Sequence, residues 1–131
     1  MPLEPNIALE TIRSLADGRQ LESHQAGDVI FSEGDPGACL YAIMEGTVRI
    51  EWSRGIHELL GPGDCFGFDV MLDPQRSRYC SALAESSVLL LPMNREHFLL
   101  AIQELPMFAL ESLQMLDQRL RRVKGSDLPH G

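Results

Sequence analysis

The sequence predicts a mainly β domain, an antiparallel sandwich or barrel, with helices at both ends. Three observations carry the prediction. Between Leu21 and about Met93, short runs rich in Val, Ile, Leu, Phe and Tyr alternate with Gly, Pro, Asp and Ser. A series of glycines from Gly27 to Gly67 falls at or between those runs, where turns are needed. Outside the stretch, the apolar period changes from that of a strand to that of a helix.

Each element follows in order. Residues 6–16 (NIALETIRSLA) place Ile7, Ile12 and Leu15 at near-helical spacing, and Asp17-Gly18 ends the segment. GDVIF, EGDPGACLYAIMEG, TVRIEW, IHELLGPGD and SSVLLLPM then read as strand and turn in alternation. In TVRIEW, Val48 and Ile50 share one face, and Arg49 and Glu51 the other. Residues 94–104 (NREHFLLAIQE) are helical, with Asn94 as N-cap and Phe98 and Ile102 four apart. Pro106 opens a second helix over about 106–124, which ends in RLRRVK with Gly125 at C′. Residues 126–131 are expected to fray. The chain is read as a single domain over 1–131, with the barrel at about 21–93 and the C-terminal helices at about 94–124.

Composition narrows the class of function. The chain has 131 residues, enough for one core, with 44% hydrophobic and 23% charged residues. No apolar run approaches a membrane span and no signal segment is visible, so the expected location is the cytoplasm. The net charge of −8 disfavours direct nucleic-acid binding by this chain. Cys39, Cys65 and Cys80 form no CxxC pair, and His24, His57, His97 and His130 form no HxH or HExxH. No metal site and no nucleophile–base constellation is expected. Glu33-Gly34-Asp35 reads as a turn, and the chain is read as not an enzyme.

The densest signal runs from Leu60 to Ser81, LGPGDCFGFDVMLDPQRSRYCS, where glycines, a short apolar run and two arginines fall within about twenty residues. This is the layout of an anion cradle. Glycines admit close backbone approach, and Arg76 offers a bidentate fork.

The chain resembles the cyclic nucleotide-binding domain family of catabolite-activator-type regulators, cyclic-nucleotide-dependent kinases and gated channels. The resemblance covers roughly residues 6–124. It rests on GDVIFSEGDPGACLYAIMEGTVRI, on LGPGDCFG and on Arg76-Ser77. It implies a jelly-roll-like double-stranded β-helix barrel with a short N-terminal helix and two C-terminal helices. A metal-dependent cupin would need clustered histidines, which are lacking. The resemblance further implies a regulatory sensor that binds cAMP or cGMP through the turn Gly67-Phe68-Asp69-Val70. Arg76 and Ser77 would hold the cyclic phosphate.

Two positions depart from the family pattern. Phe68 stands where nucleotide-binding members usually carry a glutamate that accepts from the ribose. A buried unsatisfied hydroxyl costs about 1–3 kcal/mol, or about ten- to a hundredfold in affinity. Asp69 would point about 100° away in a helical turn. The shortened spacing from Gly67 to Arg76 instead allows the turn to rotate and bring Asp69 inward. Arg78 stands where a small alanine is common. It either shares a face with Arg76 and suits another small anion, plugs the pocket, or points outward into solvent.

Ala109, Leu113, Leu116, Leu120 and Val123 follow a 4-3-4-3 spacing, the seam of a short coiled coil, and predict a homodimer through the last helix. The alternatives are a stripe packed back on the barrel, and a degenerate pocket whose domain serves dimerisation or protein interaction.

Overall fold

The computed structural model describes residues 6–73, 75 and 77–127. The strands are β1 (Glu22–His24), β2 (Val29–Phe31), β3 (Cys39–Glu45), β4 (Val48–Glu51), β5 (His57–Leu60), β6 (Cys65–Phe66), β7 (Ser81–Ala84) and β8 (Val88–Asn94). The helices are α1 (Ile7–Ala16), α2 (Asp69–Leu72), α3 (Arg95–Glu104) and α4 (Pro106–Asp127). Two four-stranded sheets form, in the orders β1-β8-β3-β6 and β2-β7-β4-β5. Every pairing is antiparallel. This is the expected jelly-roll architecture.

The patterning explains the layers. In β4, Val48 and Ile50 are buried and Glu51 is exposed, as the alternation requires. β3 and β8 pair over six registered positions and lie between two cores, so they read as near-continuous apolar runs. Ile43 and Leu90 face a core between the sheets with Phe31, Val48 and Phe66. Leu40, Leu91 and Met93 face a second core against Ile12, Val70 and Phe108 of the helices. Burying each such side chain stabilises the fold by about 1.5–3 kcal/mol. Gly46 turns the chain from one sheet to the other at φ +88°, and a Cβ there would collide with the carbonyl of Ser87.

The helix starts follow their caps. Asn6 accepts from the Leu9 N–H at 2.9 Å and donates to the Pro62 carbonyl at 2.8 Å, fixing α1 to the barrel. Asn94 accepts from the His97 N–H at 2.8 Å. The far end of α4 departs from expectation. Gly125 lies inside the helix, which continues to Asp127, because its backbone does not take the left-handed conformation that would stop it. The expected fraying covers 128–131, which lie outside the described residues, and 126–127, which are helical.

Candidate ligand pocket

A cavity of about 420 Å³ lies between the Gly67 turn, the β4–β5 end of the second sheet and α4. That volume suits a small-molecule ligand. Ile50, Phe66, Leu116, Leu120 and Val123 supply apolar wall, and Trp52, Phe68 and Tyr79 supply rings. Trp52 and Tyr79 pack against each other in a tilted pair with centroids 5.2 Å apart. The polar lining is Gly67, Glu58, Asp69, Cys80 and Arg119. Burial, with Asp69 next in effect, raises the Cys80 thiol to about 11, so it lines the cavity as a neutral group.

Arg78 lies behind the wall. Its side chain is 2% exposed, and so is that of Asp69, which it meets at 2.9 Å. The same nitrogen donates to the Gly67 carbonyl at 3.1 Å, and the other terminal nitrogen makes a short hydrogen bond to the Cys39 carbonyl. The guanidinium also sits 4.1 Å over the Phe31 ring. Two glycines make the space. A Cβ on Gly67 would stand 2.8 Å from an Arg78 nitrogen, and a Cβ on Gly37 would run into the guanidinium itself. Gly67 also takes φ +89°. Arg78 reaches the cavity only through Gly67 and Asp69, which line it. Its Nε is buried with no hydrogen-bond partner among the described residues.

A second buried arginine closes the other side. Arg119 of α4 donates from Nε to Glu58 Oε1 at 3.0 Å and from a terminal nitrogen to Oε2 at 3.2 Å. Its third nitrogen donates to the Cys65 carbonyl at 2.9 Å. Trp52 Nε1 donates to the same Glu58 at 2.7 Å. One carboxylate on β5 therefore binds α4 to the barrel and orients the ring that faces the cavity.

The sequence-predicted residues fall into three groups. Gly67, Phe68 and Asp69 line the cavity. Phe68 also packs edge-on against Phe98 of α3, 6.1 Å away, and Phe98 against Phe108 of α4, 5.8 Å away. Val70 is core, 2% exposed, and contributes only its N–H, to Asp69. Asp69 does turn inward, where the Arg78 guanidinium and the Val70 and Tyr79 N–H groups hold its carboxylate. Ser77 is exposed and bridges Pro36, away from the cavity lining. Arg76 lies outside the described residues. The outward, solvated Arg78 is overturned: the two glycines and Asp69 draw it into the interior.

The coiled-coil stripe divides in the same way. Leu116, Leu120 and Val123 line the cavity, while Leu113 is 64% exposed and Leu120, at the mouth, 68%. Glu58 and Arg119 were not singled out by the sequence reading, yet each leaves a trace there. Glu58 shares the inward face of His57–Leu60 with Leu60, and Arg119 lies three residues after Leu116 on an apolar helix face.

The comparisons with known proteins agree with this fold. The cyclic nucleotide-binding domain family matches residues 21–104. The "Cyclic AMP receptor protein" of Thermus thermophilus is 35% identical over 127 residues, covering 93% of this chain and 58% of that protein. The "CRP-like cAMP-activated global transcriptional regulator" of Mycobacterium tuberculosis is 31% identical over 105 residues, covering 76% of this chain and 46% of the relative. The crystal structure of the Thermus thermophilus catabolite activator protein superimposes with a TM-score of 0.68 at 33% identity, over 89% of this chain and 57% of that one. The chain thus spans about half to three-fifths of these regulators. The fold and these matches coincide: the chain belongs to the cyclic nucleotide-binding domain family.

Proposed function

We propose that this sensor domain takes a cyclic nucleotide, cAMP or cGMP, in the cavity beneath α4. The family is one of non-enzymatic regulatory domains. The cyclic phosphate lies at the Gly67 turn with Arg78 as its counter-cation. The base lies against Trp52, Tyr79 and Phe68. The observation that carries this reading is a buried arginine set behind a glycine turn at the edge of a 420 Å³ cavity. Ligand entering beside Glu58 and Arg119 shifts α4 between two arrangements, and α4 carries the output. Leu113 and Leu120 leave apolar surface on α4, which supports a homodimer through that helix. The whole of 1–131 acts as one domain, in the cytoplasm, without direct contact to nucleic acid or membrane.

Calorimetric titration with cAMP and with cGMP tests the ligand. Binding heat and a rise in melting temperature are expected. Neither heat nor shift at millimolar nucleotide overturns the reading. A second reading, in which the domain serves dimerisation or protein interaction with a degenerate pocket or takes another small anion, is favoured by one observation: Phe68 offers the ribose no acceptor.

A further inference from the structure

We propose that Asp69 is a built-in ligand of this domain: its carboxylate occupies the anion position at Arg78, and an incoming anion must displace it. The inference rests on the cavity being the sensor's ligand site. Three donors converge on Asp69: the Arg78 guanidinium at 2.9 Å, the Val70 N–H at 3.0 Å and the Tyr79 N–H at 3.4 Å. Two backbone N–H groups and a guanidinium are the donor set a phosphate monoanion requires. Here the chain itself supplies the anion, and both partners are 2% exposed.

Position matters as much as pairing. Asp69 lines the cavity and Arg78 does not, so the carboxylate stands between any ligand and the cation. The unpartnered Nε leaves Arg78 with a donor that Asp69 does not use. An anionic ligand therefore gains only the difference between its own pairing with Arg78 and that of Asp69. The native domain binds such a ligand weakly, and removing Asp69 strengthens binding. An Asp69 that accepted a ribose hydroxyl would give the opposite sign.

The test uses the full chain and four proteins: native, Asp69→Ala, Asp69→Asn, and the double variant Asp69→Ala with Arg78→Met. Asp69→Ala strips Arg78 of its counter-ion, so its melting temperature falls by about 10 °C. Sodium formate, compared with sodium chloride at equal ionic strength, fills the space and restores several degrees. It does so in neither the native protein nor the double variant. Calorimetry with cAMP and cGMP gives affinities about tenfold tighter for Asp69→Ala than for the native chain. If Asp69→Ala does not fold, Asp69→Asn keeps the shape and is expected to bind the nucleotide about tenfold tighter too. Formate rescue without nucleotide binding by any variant supports the built-in ligand and overturns the nucleotide. Tight native binding that Asp69→Ala or Asp69→Asn leaves equal or weakens overturns the built-in ligand and keeps the nucleotide. Equal formate effects in all foldable variants overturn the built-in ligand.

Discussion

The two buried arginines of this domain meet carboxylates at nearly the same distance, 2.9 Å for Arg78 with Asp69 and 3.0 Å for Arg119 with Glu58. Their surroundings differ. Arg78 and Asp69 are nine positions apart, inside one turn and the segment after it, whereas Arg119 and Glu58 are 61 apart. All three nitrogens of Arg119 are engaged, and Nε of Arg78 has no hydrogen-bond partner among the described residues. The first pair settles what charge the turn presents to the cavity. The second settles where α4 lies on the barrel. The carboxylates of both pairs line the same cavity, so the charge at the turn and the position of α4 meet in one volume.

Breaking the long-range pair gives the largest effect. Glu58→Ala leaves Arg119 buried without a counter-ion and costs about 3–5 kcal/mol in urea unfolding. Amide exchange should rise along α4 and stay unchanged in α2. Equal rises in both would merge the two roles into one cooperative unit. Next comes Gly37→Ala, which touches the Arg78 guanidinium and leaves α4 alone. Overpacking there should cost about 1–3 kcal/mol. A melting temperature equal to that of the native protein would show that Arg78 has room to move. The smallest effect belongs to Trp52→Phe, which removes one donor to Glu58 and keeps a ring against Tyr79. A loss of about 1 kcal/mol is expected, because Arg119 still holds the carboxylate. A loss as large as that of Glu58→Ala would make Trp52, not Arg119, the main support of the latch.

These residues also mark where the sequence was legible. The strands and helices follow from periodicity and caps, since Val48 and Ile50, Asn6 and Asn94 act through neighbours close along the chain. The Gly67 turn was legible for the same reason. Arg78 was not, because its place depends on Gly37, Cys39 and Phe31, which lie far away in sequence and arrive through the sheets. Arg76 and Arg78 are the same cation in a linear sequence, with a polar Ser77 between them. Only the packing of two strand-end segments separates a buried cation from the exposed Ser77 beside it. Gly125 shows the converse: a good stop signal is overridden when nothing turns the backbone.

The chain contains a single tryptophan, and it is Trp52, in the cavity wall, donating to Glu58 and packed against Tyr79. Its emission is therefore an optical probe native to the pocket. A quenching or spectral shift reports a change at Glu58 or Tyr79 with no label attached, and no other indole contributes background.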